Sequence, residues 1–165
     1  MTAAITIRQL IAADYPLLEH FTYLAIHLPE GVQPPPKEIV RTEPELRLYW
    51  DGFGLSDGDL GFAAEADGEV VGLAWARNFP IDQSSYGTID AETPEIAVAV
   101  EPEWRNQGVG TQLLQQLRRG LKTAGFDRVS LSVQKTNPAL RLYSRQGFTT
   151  VTDHGDELLM VKSLS

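Results

Sequence analysis

Arg105, Asn106, Gln107, Gly108, Val109, Gly110 and Thr111 link an apolar run, Val98-Ala99-Val100, to a strongly amphipathic segment. That arrangement can hold a diphosphate. A helix start carries backbone N–H groups without intrahelical partners and a partial positive charge. Glycines at 108 and 110 remove side chains that would keep a phosphate off those amides. Arg105 adds a fixed cation able to fork onto phosphate oxygens. The segment lacks the Gly-Lys-Ser/Thr ending of a nucleotide P-loop. It also lacks the third glycine of the dinucleotide fingerprint.

Other chemistry is less well supported. Gly54-Leu55-Ser56-Asp57-Gly58 matches the G-x-S-x-G elbow of serine hydrolases. The elbow needs a buried strand before its serine and a helix after it, and here a strand follows. A histidine later in the chain could only be His154. The segment therefore reads as a polar loop. There are no cysteines, so disulfides, thiolate nucleophiles and cysteine-based zinc sites are excluded. His20, His27 and His154 lack ligand spacing, so no metal is expected.

The string R-x-x-G-x-G-[ST]-x-L-L after a V-x-P-x-x-R strand end resembles the GNAT superfamily of N-acetyltransferases. A second segment from Asn137 to Phe148 resembles the family's N-x-x-A-x-x-x-Y-x-x-x-G-F motif, with Ala139 two rather than three places after Asn137. The likeness covers residues 89–151, and the first half matches in architecture alone. It implies an α/β fold with a mixed sheet of about seven strands and about four helices, splayed between the fourth and fifth strands. It implies acetyl-CoA as acyl donor and an amine, small or peptidic, as acceptor, attacking directly in a ternary complex. A lysine-like amine has a pKa near 10.4, so losing its proton at pH 7 costs about 4–5 kcal/mol. A base is needed, along with a donor to the oxyanion and an acid for the thiolate.

The resemblance assigns these roles residue by residue. Val98, Ala99 and Val100 would hold the pantetheine arm through their backbones, one amide facing the oxyanion, and residues 105–111 would hold the diphosphate. Tyr143 matches the motif tyrosine and is the candidate acid and a cofactor contact; its alternative is a core tyrosine beside Leu140 and Leu142. Asn137 would bond the arm, cap its helix, or both. Glu95 is the candidate base, with a solvated Glu95 as the alternative and Asp90 and Glu92 as substitutes. Parity puts Glu95 and Val100 on opposite faces of a strand unless a bulge intervenes, and the family's fold is known for one there. Tyr23, His27, Trp50, Phe53 and Trp75 are candidates for the acceptor site, each of a type more often found in core or surface.

These groups need elements to position them. Residues 5–10 alternate and predict a strand. Asp14 is expected to cap a helix running to about residue 26, with Pro16 in its first turn. Pro34-Pro35-Pro36 breaks the chain before short helices at 37–41 and 45–49. Strands at 60–66 and 69–77 meet at Asp67-Gly68, a hairpin signal. A strand at 93–100 precedes a helix at 108–124, whose apolar stripe is Val109, Leu113, Leu114, Leu117 and Leu121. A strand at 128–133, a helix from Pro138 to Gln146 capped by Asn137, and a hairpin of 148–152 with 157–162 complete the order.

The 165 residues predict one domain, 1–165, with an adequate core. The amino end has no signal-like apolar region and no stretch reaches membrane-span length, so a cytoplasmic protein without membrane contact is expected. Net charge is −8, unevenly spread. Residues 1–103 carry five Lys/Arg against eighteen Asp/Glu, and residues 104–147 carry eight against one. The basic block suits an anionic cofactor, and the acidic half suits a cationic acceptor. Nucleic acid is not expected as a partner. A homodimer is compatible with the family. A non-catalytic acyl-CoA sensor is the alternative function, and a Ser56 hydrolase a weaker one.

Overall fold

The computed structural model describes residues 4–56, 58–79 and 88–164. Among these residues seven strands form one sheet: β1 (Thr6–Gln9), β2 (Leu60–Ala66), β3 (Glu69–Arg77), β4 (Glu95–Val100), β5 (Arg128–Gln134), β6 (Thr149–Asp153) and β7 (Glu157–Ser163). Their order across the sheet is β1-β2-β3-β4-β5-β7-β6. Only β4 and β5 run parallel among the described neighbours. Those two strands share a single register position, Glu95 opposite Ser130, with Ser130 N–H donating to Pro94 O at 3.0 Å. They touch at their N-terminal ends and part beyond them, which is the expected splay.

Among the described residues five α-helices flank the sheet: α1 (Leu17–Ala25), α2 (Ile39–Thr42), α3 (Pro44–Arg47), α4 (Val109–Thr123) and α5 (Ala139–Arg145). The stripe Val109, Leu113, Leu114, Leu117 and Leu121 is buried on one side of α4. It packs with Ala64, Ala74, Ile96, Val129 and Leu131 from the sheet and with Tyr143 and Phe148. The opposite face buries Leu18 and Phe21 of α1 against Ala63, Leu73, Trp75 and Ala99. Helix α4 presses on the sheet because residue 120 is glycine: a Cβ there would stand 2.8 Å from Leu60 Cδ2. The Asp67-Gly68 turn takes positive φ at both positions (53° and 80°), as a two-residue hairpin loop requires.

Several expectations need correction. Asp14 does not cap α1. It ends a short 3-10 turn, Ala12–Asp14, and its carboxylate takes Ile11 N–H (2.8 Å) and a forked pair from Arg8 (2.7 and 2.9 Å). A guanidinium is a stronger partner for a carboxylate than a helix amide. The short helices sit at Ile39–Thr42 and Pro44–Arg47 rather than 37–41 and 45–49. The fourth strand begins at Glu95 rather than Thr93. Its register with β3 runs from Glu95 to Val100 without a shift, so the bulge implied by the family is absent from this strand. Among the described residues, no helix is long and apolar enough to cross a membrane.

Candidate active site

The gap between β4 and β5 organises the site. Glu101 N–H donates to Val71 O at 2.8 Å, so odd-numbered positions of this strand turn their backbone groups to β3. The even positions, Ile96, Val98 and Val100, turn theirs toward β5. Beyond the single β5 contact at Glu95, the N–H and C=O of Val98 and the N–H of Val100 therefore face the gap. Val100 O already accepts Arg105 Nε at 3.0 Å. Ala99 needs correcting as a backbone ligand: its amide and carbonyl belong to the β3 ladder opposite Leu73.

At the far end of β4 the chain turns through Asn106 (φ 61°) and Gly108 (φ 82°) into α4. The first intrahelical bond, Gln112 N–H to Gly108 O at 3.1 Å, leaves the N–H groups of Val109, Gly110 and Thr111 ahead of the ladder. Nothing lies within 4 Å of where a Gly108 Cβ would stand, so the approach to those amides is open. This geometry fits a diphosphate. Gly110 has a packing part besides the one expected. A Cβ there would meet Leu142 Cδ2 at 3.3 Å, so this glycine lets α4 approach α5. Gln107 turns back to donate to Glu103 O at 3.0 Å, while the Arg105 side chain lies exposed.

The two titratable candidates lie on opposite faces of the sheet. Tyr143 is 7 % exposed, on the α4 side, edge-on to Phe148 at 5.8 Å between centroids. Burial pushes its hydroxyl up to about 12, so it keeps its proton at neutral pH. Glu95 lies on the α1 side with Ala97 and Ala99. It is 4 % exposed, which removes the solvated alternative, and the Tyr49 hydroxyl donates to its Oε2. Asp90 is a poor substitute base. Partial burial raises its pKa, but hydrogen bonds from Thr93, Arg128 and Glu92 N–H outweigh that and hold its carboxyl below the usual range. Glu92 is exposed, two residues beyond Asp90.

Asn137 Oδ1 accepts Ala139 N–H at 2.9 Å, so the side chain caps the start of α5 while its NH2 group can still donate to a ligand. The aromatic candidates divide. Trp75 and Phe53 are core residues, 1 % and 7 % exposed. Trp50 Nε1 donates to Val40 O at 2.8 Å and the Tyr23 hydroxyl to Pro35 O at 2.6 Å, both holding the 26–50 segment together. His27 Nε2 lies 3.0 Å from Thr136 Oγ1 in the β5–α5 connection. Tyr49 was not legible as a site residue. Its partner is 46 positions away, and no spacing marks the pair.

Ser56 is not a nucleophile elbow. The residues before it form turns, β2 follows it, and its N–H donates to Asp59 Oδ2 at 3.3 Å as part of a loop clasp. His154 follows β6, with four strands between that strand and β2. Asp57 lies outside the described residues. A Ser56→Ala protein is expected to keep full activity and to change stability by no more than about 0.5 kcal/mol, read by steady-state rate and thermal melting.

Comparison with known proteins agrees with this geometry. The acetyltransferase (GNAT) family model matches residues 25–148. A mycothiol acetyltransferase from Saccharomonospora viridis is 30% identical over 124 residues, covering 74% of this chain and 38% of that protein. An N-alpha-acetyltransferase from Sulfurisphaera tokodaii is 35% identical over 95 residues, 54% of this chain and 56% of that protein. The chain thus spans little more than a third of the first relative and about half of the second. The PaiA N-acetyltransferase from Thermoplasma acidophilum, solved in complex with coenzyme A, shares the fold. Its TM-score is 0.65 at 20% identity, over 97% of this chain and 99% of that one.

Proposed function

Since this chain belongs to the acetyltransferase (GNAT) family, we propose that it transfers an acetyl group from acetyl-CoA to a primary amine in a ternary complex. The carrying observation is the β4 edge left open by a single β4–β5 register position, ending at the bare helix start of α4. An open strand edge pairs with an extended amide-bearing ligand as it would with another strand. Val98 and the N–H of Val100 would hold the pantetheine arm, with Asn137 across the gap. The amides of Val109, Gly110 and Thr111 would hold the diphosphate, and Arg105 would add charge. The α4 macrodipole favours the same anion.

Acetyl-CoA, when bound, supplies an activated acyl carbon. Val98 N–H faces the gap, where its part in pairing with the arm would be to donate to the thioester oxygen, the atom that gains negative charge. Glu95 takes the ammonium proton on the α1 face. Tyr143 holds a proton on the α4 face for the departing sulfur. Proton uptake and proton delivery are thus assigned to opposite faces of the sheet, joined only through the gap. The second relative's name supports an amine acceptor. The acidic excess of residues 1–103 favours a cationic one. We read the protein as acting in the cytoplasm as one domain, with a homodimer compatible with the exposed edge strand β6.

Calorimetric titration with acetyl-CoA, paired with thiol release across a panel of small and peptidic amines, tests the proposal. Tight binding with turnover of at least one amine is the expected result. Binding without turnover across the panel would leave an acyl-CoA sensor. Tyr143→Phe is expected to lower kcat about 10–100-fold without weakening acetyl-CoA binding, because loss of a general acid acts on the transition state alone. With its hydroxyl pushed up to about 12, Tyr143 also leaves the rate unaffected by its own ionisation through neutral and mildly alkaline pH.

A further inference from the structure

A chain of contacts on the α1 face converges on Glu95. The Tyr49 hydroxyl donates to Glu95 Oε2. The Tyr49 ring meets Phe79 edge-on at 6.5 Å. The backbone around Tyr49 is held by side chains from β3. Trp75 Nε1 donates to Tyr49 O at 2.9 Å, and Arg77 Nη1 donates to Leu48 O at 3.0 Å and Asp51 O at 2.5 Å. Trp75 and Arg77 are two residues apart and so share a face of β3. Arg77 stands opposite Glu95 in the register.

Arg77 is 8 % exposed, and its charge is matched by a forked contact to Asp59 at 3.0 and 3.1 Å. Asp59 also takes Gly54 N–H at 2.9 Å. A buried ion pair is tolerated when hydrogen bonds satisfy both partners, and here they do so by fixing irregular backbone. The segment they fix is the one that carries Tyr49. Nothing in helix propensity or hydrophobic burial demands a buried arginine at this point. Its bonds to Leu48 O and Asp51 O hold the backbone on either side of Tyr49.

We infer that Tyr49 is a positioning residue for acetyl transfer: its hydroxyl, held in place by Arg77, Asp59 and Trp75, orients the Glu95 carboxylate and gives it a hydrogen bond that burial denies it from water. The inference rests on Glu95 as the proton acceptor. Among the described residues, Arg77 with its partner Asp59 lies on the β3 side of Glu95, Ser130 stands opposite it on β5, and Tyr49 donates to it.

The test uses the full chain carrying Tyr49→Phe, Glu95→Gln, or both. The phenylalanine keeps the ring against Phe79. Tyr49→Phe is expected to lower kcat about tenfold, to hold KM for acetyl-CoA within about twofold, and to add nothing in the Glu95→Gln background. Carbon-13 NMR titration of glutamate-labelled protein, with the Glu95 signal assigned by Glu95→Gln, needs no substrate. There the midpoint should rise by about one pH unit when the hydroxyl is removed, since a hydrogen bond to the charged form is lost.

An unmoved midpoint, or additive losses in the double variant, overturns the inference. So does a full-rate Tyr49→Phe protein beside an impaired Glu95→Gln one, which would leave the base assignment standing. A full-rate Glu95→Gln protein removes the base assignment itself, and this inference with it. Should Tyr49→Phe fail to fold, 3,5-difluorotyrosine at position 49 keeps the shape and strengthens the donor. The midpoint should then fall, and a midpoint that stays put is the overturning result.

Discussion

Glu95→Gln is expected to lower kcat about 10²–10⁴-fold while acetyl-CoA affinity stays within about twofold. Glutamine has the shape of glutamate and an oxygen that can still accept from the Tyr49 hydroxyl. The fold around position 95 should therefore survive, with a thermal midpoint close to that of the parent protein. What is lost is the ability to take a proton. The loss should appear in kcat because Glu95 lies on the α1 face, whereas the open backbone groups and the α4 cradle engage the cofactor. Its neighbours cannot replace it. Asp90 is held as an anion by Thr93 and Arg128, and a carboxylate with a depressed pKa is a weak base. Steady-state rates against amine concentration, with calorimetry for acetyl-CoA, check both halves. A Glu95→Gln protein with parental kcat would shift the base role to a water relay or another group.

Features read correctly from sequence are those written in local spacing. The α4 stripe repeats every three to four residues and was legible before any fold was known. Asp67-Gly68 fixed a hairpin, and Leu60–Ala66 and Glu69–Arg77 occupy the expected strands. The misreadings share a cause: sequence names a residue without its direction. Ala99 sits between two gap-facing residues, yet its amide belongs to β3, because alternation along a strand applies to backbone groups as well as side chains. Asp14 has the right type to cap a helix, and a guanidinium from β1 claims it instead. Tyr49, Arg77, Asp59 and Glu95 are linked only by tertiary folding, through contacts between residues 18 to 46 positions apart. No motif could reveal them.

The backbone alternation leads to the second large effect, a contrast between neighbouring prolines. Proline removes an N–H, so its effect depends on where that N–H points. At position 98 the amide faces the β5 gap, outside the β3–β4 ladder. Val98→Pro is therefore expected to weaken acetyl-CoA binding at least about tenfold, the equivalent of about 1.4 kcal/mol, while much of the fold persists. At position 99 the amide belongs to the ladder opposite Leu73, in a strand buried at the centre of the sheet. Ala99→Pro should lower the thermal midpoint far more, since a central strand tolerates proline poorly. Val98→Ala is the control for the side chain: it trims packing and leaves the amide, so acetyl-CoA affinity should hold. Calorimetry and melting curves on the three proteins separate the cases. If Val98→Pro binds acetyl-CoA as the parent does, the arm does not pair with β4, and the open edge has some other use. If Val98→Pro and Ala99→Pro lose stability equally, the assignment of which amides face the gap is wrong, and the oxyanion donor placed at Val98 goes with it.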